Sequence, residues 1–256
     1  GCIIECGDDL NRVLPGFANE LEDIKKAIVD MADSNYFFET KSEYAKEMVT
    51  GFIRLNGITT GVVANRTKVL DENGKAVMQF EPVLTTGGCR KAAAFVRFCD
   101  AFDIPVLTLA GVTGFKADIR EEETLAKAAA ELTYAFADAT VPKVNVIVGK
   151  SYGSAYVAMN SKHIGADYVF ALANTEIGMM DAKLAAQIMY DGEPAEVVNE
   201  KAALYASLQN NAQSAAKRGY VDSIIDPETV RKHVIYAFEM LYGKREARPI
   251  KKHRSF

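Results

Sequence analysis

Residues 150–159, KSYGSAYVAM, constrain this chain more than any other stretch. They follow VPKVNVIVG (141–149), an apolar, β-branched run bounded by Pro142 and Gly149 that reads as a buried strand. Beyond it, Gly153, Ser154, Ala155 and Ala158 are small and fall at spacings a helix can use. A strand that stops at glycine and turns into a helix of small residues leaves backbone N–H groups unpaired in the first helical turn. The positive end of the helix dipole adds to them. Small side chains let a ligand oxygen approach the main chain, so this turn has the makings of an oxyanion hole. The same residues also fit a plain strand–turn–helix in which glycine serves packing alone.

The neighbouring segments repeat this order. TTGGCRKAAAFVRFCDAFD (85–103) reads as a helix with the stripe Ala92, Phe95, Val96, Cys99, Phe102. IPVLTLAGVTGF (104–115) gives a buried strand from Pro105 to Leu109 and a loop holding Gly111 and Gly114. EEETLAKAAAELTYAFADA (121–139) is a helix with acids at its N-terminus, and ADYVFAL (166–172) is another short strand. Helix, strand and glycine loop in alternation imply a parallel sheet with crossovers. The loops 110–115 and 150–155 then face one side, where α/β sheets bind ligands. Neither loop matches GxGxxG or a Walker sequence, so a nucleotide site is unsupported.

Outside this core, residues 1–16 look like an N-terminal arm, and 21–34 has helix spacing at Leu21, Ile24, Ile28 and Met31. Residues 36–44 are short and β-like, and 48–66 forms two β runs around Asn56-Gly57, a strong hairpin signal. Residues 193–208 and 228–241 read as further helices.

Composition narrows the function classes. The 256 residues are 49% hydrophobic, enough for one large domain with a full core. A net charge of −4, with no basic run interleaved with aromatics, argues against nucleic acid. Lys251, Lys252, His253 and Arg254 read as a solvated tail. No apolar run is long enough for a bilayer, and the N-terminus lacks a signal-peptide pattern, so a cytoplasmic protein is expected. Cys2, Cys6, Cys89 and Cys99 form no CxxC pair and read as reduced, structural thiols. His163, His233 and His253 are scattered, so no metal site is expected. Gly1 in place of Met reads as a scar of tag removal, which makes the chain either an excised domain or a separate subunit.

Several long blocks, in order, resemble one family. They are FFETKSEYAKEMVTGFIRLNGITTGVVAN (37–65), KAAAFVRFCDAFDIPVLTL (91–109), ATVPKVNVIVGKSYGSAYVAMNSKHIGAD (139–167) and KREARPIKKH (244–253). The chain resembles the C-terminal half of the biotin-dependent carboxyltransferase subunit, as in the propionyl-CoA carboxylase β subunit. The resemblance implies the α/β crotonase-like fold, a spiral of ββα units with surrounding helices, as one domain over residues 1–256. It implies carboxyl transfer between biotin, borne on a biotin carboxyl carrier protein, and the α-carbon of an acyl-CoA. An N-terminal-type half would complete the active site, in an oligomer. The alternative is a non-catalytic structural partner in such a complex.

Residue by residue, the resemblance implies that the backbone N–H groups of Ser154 and Ala155 bind the biotin ureido oxygen. It places Gly153, Val112, Thr113, Gly114, Phe115, Gly178 and Met179 around biotin and Val157 at a position that influences acyl preference. The family turn usually reads KAYGGAYDVM, so Ser154 replaces a glycine and Val157 an acidic residue. The loop DVPGF is AGVTGF, with Thr113 in place of proline, and the insert after it is shortened to KADIREEE. AEIAVMGAEGA is TEIGMMDAKLA, with Asp181 and Lys183 replacing small residues.

Overall fold

The computed structural model describes residues 8–247. Cys2, Cys6 and the basic cluster Lys251, Lys252, His253 and Arg254 lie outside them. The described part of the expected arm, residues 8–16, packs on the body. Leu14 is fully buried, and its N–H donates to Glu228 O at 2.9 Å. Helices α1 (Phe17–Glu20) and α2 (Ile24–Met31) follow, and α2 buries Ile24, Ile28 and Met31.

Strands β1 (Phe38–Thr40), β2 (Met48–Leu55) and β3 (Ile58–Asn65) pair antiparallel in sequence. The β2–β3 turn has Asn56 at φ 50° and Gly57 at φ 79°, the two positive values that a tight hairpin of this twist requires. A second hairpin, β4 (Lys68–Leu70) and β5 (Ala76–Gln79), forms its own small sheet. Then come β6 (Val83–Leu84), α3 (Thr86–Ala101), β7 (Val106–Ala110), β8 (Gly114–Phe115), α4 (Ile119–Glu122) and α5 (Leu125–Asp138). The expected helix over 121–139 is therefore two. The Glu121 carboxylate lies at the N-terminus of α3, accepting the Thr86 N–H at 2.6 Å.

The chain continues through β9 (Lys143–Ile147), β10 (Ser151–Tyr152), α6 (Gly153–Ala158), β11 (Tyr168–Leu172), β12 (Ile177–Gly178), α7 (Ala182–Met189), α8 (Ala195–Tyr205), α9 (Ala212–Lys217), β13 (Ser223–Ile225) and α10 (Val230–Met240). The main sheet has the order β1-β2-β3-β7-β9-β11-β13, parallel from β3 onward. Its strands alternate between two cores. Leu107 and Leu109 of β7 join α2 and α10 on one face, while Val106 and Ala110 join α3 and α5 on the other.

The stripe on α3 is buried as expected except at its end. Phe102 lies past the last helical residue, is 64% exposed, and rests its ring on Phe98 at 4.6 Å. Cys89 and Cys99 are free and fully buried in α3, and burial pushes both thiols up to about 12. No helix among the described residues is long and apolar enough to cross a membrane.

Candidate active site

Because β7, β9 and β11 run parallel, the loops after them emerge at the same end of the sheet. The sequence reading placed two of these loops together from strand order; the loop after β11 is a third. Short backbone pairings clasp all three. Tyr152 N–H donates to Val112 O at 2.9 Å, tying the loop after β9 to the loop after β7. Ser151 N–H donates to Glu176 O at 2.8 Å, and β10 pairs parallel with β12, with Tyr152 opposite Gly178. Strand β8 pairs with β6, and Thr113 N–H donates to Pro82 O at 2.7 Å. The glycines permit this closeness: a Cβ on Gly111 would lie 3.6 Å from Gly149 Cα.

The donor turn sits at the centre. Gly153 has φ 61°, and a Cβ there would lie 3.1 Å from Met179 O, so conformation and space both select glycine. Ser154 is exposed and Ala155 is buried. Both fall in the first turn of α6, where N–H groups lack an intrahelical acceptor. No side chain caps this helix, and among the described residues neither N–H meets a backbone acceptor elsewhere in the fold.

The structure thus brings Val112, Thr113, Gly153, Ser154, Ala155, Gly178 and Met179 to one place. Gly114 and Phe115 lie in β8 just behind them, and Phe115 packs against the cluster that contains Val112 and Ala155. Met179 is 78% exposed. Val157 is half-buried against the cluster of Ile147, Tyr156 and Val169. Asp181 caps α7, accepting from Lys183 N at 2.9 Å and Leu184 N at 3.2 Å.

Two residues beside the site escaped the sequence reading. Glu176 accepts the Tyr152 hydroxyl and pairs with Lys150 at 3.1 Å. Asn210 arrives through a π turn over 206–210, is fully buried, and donates to Met180 O at 3.0 Å. A side chain on Gly178 would overlap the Asn210 amide oxygen. Gly178→Ala is therefore expected to destabilise the protein by about 1–3 kcal/mol, as overpacking does, read from urea denaturation. No cluster of His, Cys, Asp and Glu suited to a metal ion occurs among the described residues.

The model of the carboxyl transferase domain matches residues 4–256. The chain belongs to the carboxyl transferase domain family. This carboxyl transferase domain is 42% identical over 247 residues to the propionyl-CoA carboxylase beta chain of Roseobacter denitrificans, a match covering 95% of the chain and 46% of that protein. It is 36% identical over 262 residues to methylmalonyl-CoA decarboxylase subunit alpha of Propionigenium modestum, covering 97% of the chain and 49% of that protein. The crystal structure of transcarboxylase 12S, with hydrolysed methylmalonyl-coenzyme A bound, matches at TM-score 0.89 and 33% identity. That match covers 100% of the chain and 50% of the 12S chain. The domain has the crotonase-like carboxyltransferase fold and spans about half the length of these relatives.

Proposed function

We propose that residues 1–256 form one half of a biotin-dependent acyl-CoA carboxyltransferase, acting with an N-terminal-type half. The observation that carries this reading is the Ser154–Ala155 turn: two main-chain donors without acceptors, where three loops converge on the ligand side of a parallel sheet. The residues fit a ureido group. Gly153 and Gly178 let the loops close to this spacing, and the N–H pair offers donors to one oxygen. Biotin on its carrier protein supplies the carboxyl group, at N1′.

The chain's contribution is to hold and to stabilise. The Ser154 and Ala155 N–H groups would hold the ureido oxygen and stabilise negative charge on it. Such donors matter because they point at the charge before it forms. They bind through the main chain, so serine at position 154 retains the donor that glycine would give. No side-chain acid or base in this half is required for that task. Val112, Thr113, Gly114, Phe115 and Met179 would wall the biotin, and Val157 would act on acyl choice from behind the turn.

The relatives support an assembled enzyme, since transcarboxylase 12S is described as a hexamer. Leu184, Ile188 and Met189 are exposed along α7, beyond the Asp181 cap, and offer apolar surface for the N-type half. The test is carboxyl transfer from free carboxybiotin to a series of acyl-CoAs. Turnover by the mixture of halves, and not by this chain alone, is the expected result. No turnover from a correctly assembled mixture would leave a structural partner as the better account.

A further inference from the structure

Glu176 holds three consecutive residues just ahead of the donor turn. Its carbonyl accepts the Ser151 N–H at 2.8 Å, Oε2 accepts the Tyr152 hydroxyl, and Oε1 lies 3.1 Å from Lys150 Nζ. Tyr152 is 3% exposed and directly precedes Gly153. Its N–H is fixed to Val112 O, so the tyrosine spans from the loop after β7 to the loop after β11. A buried hydroxyl without an acceptor costs about 1–3 kcal/mol, so the ring has one well-satisfied placement here. Burial, and then the hydrogen bond to Glu176, push the Tyr152 hydroxyl above the ordinary tyrosine range. Lys150 offsets the carboxylate charge, which would otherwise oppose the anion that the turn is built to receive.

We propose that Glu176 is a positioning residue for carboxyl transfer, aiming the Ser154 and Ala155 donors through its contact with Tyr152. The proposal rests on the carboxyltransferase reading above. Glu176 touches no reacting atom. It fixes the residue from which the donor turn departs, and a small rotation of Tyr152 would swing both N–H groups away from the ureido oxygen.

The test uses this chain assembled with its N-type half and compares Glu176→Ala, Glu176→Gln, Tyr152→Phe and Ala155→Pro. Glu176→Ala and Tyr152→Phe should each lower kcat by about tenfold to a hundredfold, the scale of a misplacement near 1 Å. KM for acyl-CoA should stay unchanged. Glu176→Gln keeps an acceptor for the hydroxyl and should recover most of the loss. The double variant Tyr152→Phe/Glu176→Ala should be no slower than the slower single one, because both act through one contact. Tyr152→Phe preserves the ring and keeps the test open if Glu176→Ala folds poorly. Losses that multiply in the double variant, or that follow thermal stability without rescue by glutamine, would overturn the proposal. Full turnover by Tyr152→Phe and Glu176→Ala, with Ala155→Pro inactive, would overturn it and leave the carboxyltransferase reading standing. Full turnover by Ala155→Pro would remove that reading, and this proposal with it.

Discussion

Ala155→Pro is expected to lower kcat for carboxyl transfer by about 10²- to 10³-fold, the range seen when one oxyanion donor is removed. Residue 155 lies in the first turn of α6, where its N–H has no partner inside the helix. Proline there deletes a donor that the helix does not use, and its ring also disfavours the helical conformation of Ser154 before it. The variant has a packing cost as well, because Ala155 is only 1% exposed and the ring adds atoms to a filled site, worth about 1–3 kcal/mol. Ala155→Val separates the two effects. Valine overpacks the same site but keeps the N–H, so it should lose comparable stability and far less turnover. Both kcat values are taken per folded molecule, with the folded fraction read by circular dichroism. Equal losses in the two variants would assign the effect to packing and sink the oxyanion role.

The parts of this fold that sequence makes legible are those with an internal period or a committed turn. Strands β7 and β9 are buried on both faces, rich in Val, Leu and Ile, and bounded by proline or glycine, so they stand out. Asn56-Gly57 marks its hairpin because few other dipeptides tolerate two positive φ values. Helix α3 matches its expected span to within a few residues because its stripe is long. Strand β10 is different. It has two residues, no period, and exists only because Ile177 and Gly178 lie alongside it. The sequence therefore reads as strand, turn and helix, where the chain makes strand, loop, short strand and helix. The β4–β5 hairpin is not legible for a related reason. Its strands have three and four residues, and their partly exposed side chains show no alternation, despite Asp71 to Gly74 between them. Phe102 leaves the stripe because the helix stops one residue short of it, so the period no longer aims it at the core. In the candidate site, the turn was legible as backbone chemistry. Glu176 and Asn210 were not, since one reaches the turn through a tertiary hydrogen bond and the other through a π turn.

The largest expected loss of stability comes from the opposite end of the sheet. Arg231 is fully buried in α10, with Nη2 2.6 Å from Asp33 Oδ1 and 3.6 Å from Asp8 Oδ2. Its Nε donates to Met31 O at 3.1 Å and Nη1 to Asp9 O at 2.7 Å. Asp33 in turn accepts the backbone N–H groups of Asn56 at 3.1 Å and Gly57 at 2.8 Å. One guanidinium thus joins the N-terminal segment, the end of α2, the β2–β3 turn and α10. Arg231→Met fills similar volume but leaves Asp33 a buried carboxylate without its cation, and takes the guanidinium donors away from the carbonyls of Met31, Asp9 and Leu10. The expected cost is about 3–5 kcal/mol, measured by urea denaturation at constant m-value. Adding Asp33→Asn should recover part of it, because the amide oxygen still accepts from the turn while the uncompensated charge is gone. This staple sits where β3 begins, whereas the donor turn sits where the parallel strands end. Arg231→Met should therefore leave kcat per folded molecule unchanged. Combined with Ala155→Pro, its stability loss and the turnover loss should add without coupling, as separate sites do.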